Sequence, residues 1–489
     1  MFRTCAFFRI LPASRKRLVI VLMLSVWAAD SPADQPVAEQ PVQPYVRPLT
    51  EQLTGQQLAQ SSLESPVQGL AQQWVQSPAN QSAQQPSEQS ARNLAQRLLT
   101  LKECIALARD NNPKIAQLRT SIQKSYVSVT SAHSSYYPSV DFSTGYRNSE
   151  GFMGERQGSY SSSIGLGFAI YEGGYRGAAV EATRANVDVA KEQYRSSANE
   201  ITLQVKEAFF KILQRQEQIS LVEDIVKRRK EDLVLITLKY EAGRESSPAV
   251  KEAEANLLQA EYDRKRAEEE LALARVELNL LLGRPGRAEI SLEYRDEAVN
   301  FQPVAILLQE AKANRPELGS EKASTRALRA QLTQARSGYL PRISLSSSYN
   351  IQGDDFMKQT TNWGAGVSLS IPIFDGFSRK AKVSEAVLSV ENQSDAVREL
   401  EQQIEGDVEQ AYSTWELARS IIEVTETTLA AARDMYQLTK LQYEQGLTSY
   451  FFLQQKESGL TQAENSRLGA LLNLRLSAAR LEKACGRAS

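Results

Sequence analysis

The chain has 489 residues, with 57 basic and 58 acidic side chains, one histidine and a formal net charge of −1. That balance leaves no basic footprint for nucleic acid, and the length allows two or three folded domains. No HExxH, phosphate-binding glycine loop, nucleophile elbow or close cysteine pair occurs, so no catalytic residue, cofactor or metal site is expected.

In chain order, Arg3, Arg9, Arg15, Lys16 and Arg17 precede an apolar run at 18–29 that ends in Ala28 and Ala29 before Asp30. A basic start, a short apolar core and a small-residue end describe a secretory signal peptide over 1–29, too short to span a bilayer. Cys5 lies ahead of the apolar core, so no lipid-attachment cysteine is expected. Residues 30–98 are rich in Gln, Pro and Ser and read as a flexible extension that cannot bury enough apolar surface to order itself. No later stretch is apolar over the roughly 18 residues a membrane helix needs, so insertion would have to use strands. Cys104 and Cys485 follow the signal; an oxidising compartment allows them to pair, and two small buried apolar residues are the equal alternative.

From residue 99 the chain repeats itself at an offset of 203: Pro113 matches Pro316, Pro138 matches Pro341, Gly173 matches Gly376, Tyr240 matches Tyr443, and Gly243 matches Gly446. The copies are expected at 99–284 and 302–487, with a linker at 285–301. Thr100 and Glu103 have capping-box spacing ahead of Leu101, Ile105 and Ala108, which predicts a helix to about Tyr136, adjusted near Pro113.

The period then changes from 3.6 to 2. Val140, Phe142, Thr144 and Tyr146 alternate with Asp141, Ser143, Gly145 and Arg147, predicting strands at about 137–148 and 159–171, and in the second copy at about 340–352 and 361–374. One face is apolar with aromatic ends and the other is small or polar. Soluble sheets alternate too, but four strands of membrane-spanning length behind a signal fit a barrel wall with lipid outside and water inside.

Gly173, Gly174 and Gly376 mark the exits from strand to helix. A helix of about 100 Å is then expected over 175–242. Its apolar seam repeats every seven residues: Ala198, Val205, Ile212, Ile219, Val226, Leu233 and Tyr240. It turns at Gly243 and returns over 247–282, so this returning helix and the one before the strands stack to match the long helix.

Four strands cannot close a barrel, and an open edge is excluded from lipid because unpaired backbone groups there are costly. Barrels of about eight strands are filled by their own side chains, so a homotrimer with twelve strands is expected in preference to a dimer. The same operation gathers twelve helical rods into a hollow cylinder.

Taken together, these residues resemble the TolC family of outer-membrane exit ducts, over about residues 99–487. The resemblance is carried by the duplication, the Tyr-Pro and Leu-Pro strand starts at 137–138 and 340–341, and Ile-Pro-Ile-Phe-Asp-Gly at 371–376 with Ile-Tyr-Glu-Gly-Gly at 170–174. Tyr-Glu-Ala-Gly at 240–243 and Tyr-Glu-Gln-Gly at 443–446 complete it.

The resemblance implies a mainly α fold joined to a twelve-stranded barrel in the outer membrane, with a long helical barrel in the periplasm. It also implies a periplasmic adaptor, an inner-membrane transporter of ABC or RND type as the energy source, and outer-membrane lipid around the strands. Cargo is then polypeptide, in type I secretion, or small molecules. By the same resemblance, Gly243, Arg244 and Ser246, with Gly446, Leu447, Thr448 and Ser449, form the tip where the adaptor docks. The family's aspartates six residues after each tip glycine are replaced by Ala249 and Phe452, leaving Glu241, Glu245 and Glu444, with Arg244, as candidate aperture charges or as solvated charges at a turn. The lone His133 and its repeat partner Arg336 belong to no ligand cluster. A periplasmic coiled-coil adaptor is the competing class, since it also carries long helical hairpins but lacks amphipathic strands.

Overall fold

The computed structural model describes residues 98–150, 156–294, 300–355 and 358–487. The expected signal at 1–29 and the extension up to residue 97 lie outside the described residues.

Strand β1 (Leu98–Leu99) opens the described chain and pairs in parallel with β4 (Ser291–Leu292) in the linker. Helix α1 (Leu101–Asn111) starts on a complete capping box: Glu103 N–H donates to Thr100 Oγ1, and Thr100 N–H donates to Glu103 Oε2 at 2.9 Å. The expected single helix is two helices, because Pro113 lacks an N–H and its ring would clash with the preceding turn. Asn112 is extended (φ −68, ψ 125) and α2 (Pro113–Ser134) begins after it with proline in its first turn.

The rest of the first copy is β2 (Ser139–Glu150), β3 (Arg156–Tyr171), α3 (Tyr175–Glu241) and α4 (Ser247–Leu281). After β4, the second copy is α5 (Val304–Asn314), α6 (Pro316–Ser337), β5 (Arg342–Asp355), β6 (Lys358–Ser370), α7 (Ser378–Glu444) and α8 (Tyr450–Ala484). The helices match in length copy for copy; α3 and α7, for example, each have 67 residues. The fold is therefore mainly helical and duplicated, with one four-stranded antiparallel sheet in the order β2-β3-β5-β6.

The short helices stack end to end through one residue per copy. Asn112 Oδ1 accepts from Lys114 N–H, and Asn112 Nδ2 donates to the Leu281 carbonyl, both at 2.9 Å, so a single side chain caps the start of α2 and satisfies the end of α4. Its counterpart Arg315 donates from Nε to the Ala484 carbonyl at 2.8 Å and pairs through Nη1 with Asp407 at 2.9 Å. Gly283, at φ +67, closes the first joint, where a Cβ would stand 2.5 Å from the Asn111 carbonyl oxygen.

Helix α3 contacts α2 and α4 on one side and α6 and α8 on the other, and α7 lies against α6 and α8. Four rods thus lie side by side, with the α2/α4 stack and α7 at the two edges. The sheet has the same order, with β2 and β6 at its edges.

Two cores sit at the joints. One holds Cys104, Ile115, Phe209 and Leu278, the other Leu307, Ile404, Trp415 and Cys485. A third, near the hairpin tips, holds Ile236, Ala253, Tyr443, Leu453 and Leu460. Cys104 and Cys485 do not form the disulfide considered above: both are free and buried, each in a different core, because the duplication places them at the two separate joints. Burial pushes the Cys104 thiol up to about 12 and the Cys485 thiol up to about 11.

Two other expectations need correction. The seven-residue seam of α3 is buried at Ala198, Val205 and Ile212, but Val226 and Leu233 are only half-buried and Tyr240 is exposed, while Val222, Ile225, Asp232 and Ile236 are buried instead. A single seam assumes one neighbour, whereas this part of α3 lies between α4 and α8. Strand β6 ends at Ser370 rather than near 374, because Pro372 has no N–H for the ladder. Among the described residues no helix is long and apolar enough to cross a membrane.

Candidate functional site

The sheet has two unlike faces. Across the strands, Phe142, Ile164, Tyr349 and Trp363 pair in one row, Val140, Leu166, Ser347 and Ala365 in the next, and Phe168, Leu345 and Val367 in a third. These rows share one face, on which Trp363 is 77 % and Phe142 68 % exposed. The hydroxyls on it are satisfied locally, as where Thr144 and Ser162 bond at 2.9 Å. The opposite face carries Ser143, Ser163, Asn350 and Asn362 in one row and Asp141, Gly165, Ser348 and Gly364 in another. A sheet that exposes its apolar side is matched to lipid, with water on the small polar side.

At the exit from strand to helix each copy has an arginine knot. Arg176 donates to the Ser135 and Ile170 carbonyls at 3.2 and 3.0 Å, pairs with Glu172 at 3.4 Å and stacks over Tyr136. Arg379, its repeat partner, donates to the Pro372 carbonyl at 2.8 Å, pairs with Asp375 at 2.7 Å and stacks over Tyr339. These knots tie the ends of the strands to the starts of α3 and α7.

The hairpin tips lie at the far ends of those helices. Gly243 (φ +72) and Gly446 (φ +77) take the left-handed conformation that ends each helix, with Arg244 N–H donating to the Lys239 carbonyl and Leu447 N–H to the Gln442 carbonyl, both at 2.8 Å. Ser246 and Ser449 occupy the N-cap positions of the return helices without a side-chain cap bond. Leu447 is 74 % exposed, and Arg244 and Thr448 flank the turns. Ala249, at one of the two departures from the family pattern, is buried in the tip core, whereas Phe452 is exposed.

Of the candidate aperture charges, Glu245 is engaged: the buried Tyr443 hydroxyl donates to its Oε2 at 3.1 Å. Glu241 and Glu444 are exposed at the ends of α3 and α7. Lys239 binds the Tyr443 carbonyl and lies 3.8 Å from the centre of the Tyr443 ring.

Behind the tips lies a set of ion pairs that the sequence reading missed. Arg228 donates to Glu464 through both terminal nitrogens, Nη1 to Oε1 at 3.2 Å and Nη2 to Oε2 at 2.8 Å. Arg229 Nε lies 2.9 Å from Oε1 of the buried Glu457. Asp232 is buried nearby, and Lys440 reaches Glu231 at 3.5 Å. The detectable signal was a carboxylate at core spacing, since Glu457 and Glu464 alternate with Leu453 and Leu460 along α8.

Burial raises the Asp232 carboxyl above the usual carboxylate range, against the opposing pull of Lys440, Arg229 and Arg228 and with some help from Glu231. Burial likewise raises Glu457, opposed first by Arg229. Because the folded pKa of Asp232 lies above its unfolded value, this group favours the fold in acid, and the contribution fades as pH rises through the raised value. Asp232→Asn should therefore unfold at a higher temperature than the parent at neutral pH, with the gap closing on acidification. Thermal unfolding in detergent followed by circular dichroism checks this, and a gap independent of pH would show that Asp232 is not the group responsible.

Residues 104–284 and 307–487 each match the family model described as outer membrane efflux protein, and the two matched spans are themselves 203 residues apart. Protein CyaE of Bordetella pertussis is 26 % identical over 400 residues, covering 79 % of this chain and 84 % of that protein. The alkaline protease secretion protein AprF of Pseudomonas aeruginosa is 25 % identical, over 57 % of this chain and 59 % of that protein. Among solved structures, CusC has a TM-score of 0.71 at 19 % identity, covering 79 % of this chain and 92 % of that one. VceC of Vibrio cholerae has a TM-score of 0.68 at 16 % identity, covering 79 % of this chain and 96 % of that one. These likenesses are of fold.

Proposed function

The chain belongs to the outer membrane efflux protein family, and we propose that three copies close into the outer-membrane exit duct of a tripartite export system. The carrying observation is the sheet, with an apolar face exposed across all four strands, a small polar face behind it and two open edges, β2 and β6. Joining β6 of one copy to β2 of the next removes every edge, and twelve strands leave a water-filled interior that eight would fill. The duct is passive and not an enzyme. Energy comes from an inner-membrane transporter of ABC or RND type, reached through a periplasmic adaptor that docks at the tips.

The protein should fractionate with the outer membrane as heat-modifiable trimers and form ion-conducting pores in planar bilayers. Release as a soluble periplasmic protein would instead favour the adaptor reading. Similarity to the protein named for alkaline protease secretion supports polypeptide cargo, and similarity to the Escherichia coli cation efflux system protein CusC supports small-molecule cargo. Deleting the gene and comparing the culture medium with resistance profiles separates the two. Loss of a secreted polypeptide with unchanged resistance is expected for the first, and the converse for the second.

At the tip, Leu447→Arg places charge on an exposed apolar contact residue whose side chain holds nothing else in the fold. Export should drop severalfold while the yield of trimers stays at the parent level. Unchanged export would remove Leu447 from the docking surface.

A further inference from the structure

The two exits from strand to helix differ at one backbone position. Residues 371–383 of the second copy match 168–180 of the first. In each, two successive residues are left-handed: Gly173 (φ +60) and Gly174 (φ +84) in the first copy, Gly376 (φ +64) and Phe377 (φ +67) in the second. Among the described residues Phe377 is the one residue other than glycine with a positive φ. A bulky side chain is disfavoured there, and the conformation persists where something offsets its cost. Little inside the protomer does so. Phe377 is 69 % exposed, and the ring it meets, Phe374 at 5.6 Å between centroids, is 74 % exposed. Ile373 beside them is 93 % exposed.

The first copy shows which way this apolar wedge points. Tyr171, the counterpart of Phe374, pairs with Ile343, which lies two residues from Leu345 and so on the same apolar face of the sheet. A Cβ at Gly173 would stand 2.6 Å from the Leu340 Cβ, whereas one at Gly174 would meet no atom within 4 Å although the second copy packs alongside. Translated by 203 residues, Gly376 is the position that the next protomer covers, and Phe377 stays open at the end of the apolar side.

Charge follows the same asymmetry. In 168–180 the charged residues are Glu172 and Arg176, which pair with each other. In 371–383 Asp375 and Arg379 pair in the same way, and two exposed cations are added, Lys380 and Lys382, where the first copy has Gly177 and Ala179.

We propose that Ile373, Phe374 and Phe377, with Lys380 and Lys382, bind an anionic phospholipid at the rim of the barrel nearer the helices. An acyl chain packs on the apolar wedge, and the lysines reach the headgroup phosphate from α7, each adding attraction to an anionic leaflet. Burial against lipid offsets the cost of the Phe377 backbone. This rests on the three-copy ring proposed above, which places the apolar face in the membrane.

Phe377→Cys, carrying an environment-sensitive maleimide dye, reads the site in protein purified from membranes, where the buried Cys104 and Cys485 stay unlabelled. The protein is placed in vesicles of phosphatidylcholine and phosphatidylglycerol in equal amounts, with bromine on the acyl chains of one lipid or the other. Brominated phosphatidylglycerol should quench the dye severalfold more than brominated phosphatidylcholine, and Lys380→Gln with Lys382→Gln should make the two equal. A dye at Phe142→Cys, on the same apolar face within the sheet, should be quenched by both lipids alike. Equal quenching at 377 with the lysines present, or none there while 142 is quenched, would overturn the inference. A dye at 377 shielded from both lipid bromine and aqueous iodide would overturn it in favour of cover by the next protomer. Loss of quenching at both positions, with no heat-modifiable trimer, would refute the ring and the lipid site with it.

Discussion

Leu166→Arg should sharply reduce the amount of trimer recovered from the outer membrane, Leu369→Arg, one residue from the end of β6, should reduce it less, and Ser163→Arg should insert at the parent level and change ion conductance. Leu166 and Leu369 lie on the face shared with Phe142, Tyr349 and Trp363, and Ser163 lies on the opposite face, between Ser143 and Asn350. An arginine facing lipid costs about 2–4 kcal/mol near the bilayer midplane and about 0–1 kcal/mol near the interface, toward which Leu369 lies at the end of β6, and the same residue facing water costs little. Three copies multiply the penalty per assembled barrel. Quantifying heat-modifiable trimer in membrane extracts, with bilayer recordings for Ser163→Arg, checks both arms. Equal insertion defects on the two faces would show that the assignment of lipid and water sides is wrong.

Arg229→Met leaves Glu457 buried beside α3 without its guanidinium, and a buried charge pair broken on one side costs about 3–5 kcal/mol. Glu457 is 2 % exposed and Arg229 Nε lies 2.9 Å from it, so water cannot readily take the place of the lost partner. Replacing both residues together, Arg229→Met with Glu457→Met, should recover most of the loss, because no uncompensated charge remains. Denaturant unfolding of the detergent-solubilised protein measures both variants. If the double variant is as unstable as the single one, the two side chains do not act as a pair.

The long elements were legible from local pattern alone. Helices were expected over 175–242 and 247–282, and α3 and α4 run Tyr175–Glu241 and Ser247–Leu281. Their ends are set by Gly243 and Gly283, both in the left-handed region that side chains avoid. Strand faces were legible for the same kind of reason, since alternation is a property of neighbouring residues. Where the reading failed, a distant partner decided the outcome. The lower seam of α3 shifted because α8 lies against it as well as α4. Cys104 and Cys485 sit at equivalent joints of different copies, and no spacing along the chain carries that separation.

The tip marks the boundary most clearly. The sequence by itself determined the duplication, the two periods, the helix ends and the need for more than one copy, because each follows from residues near one another or from counting strands against closure. Only the tertiary structure decided that Arg228 meets Glu464, that Tyr443 meets Glu245, and that these contacts lie inside one protomer. Equivalent positions of the two copies carry different side chains, so their partners are set by which helices pack together, and that packing joins residues more than a hundred positions apart.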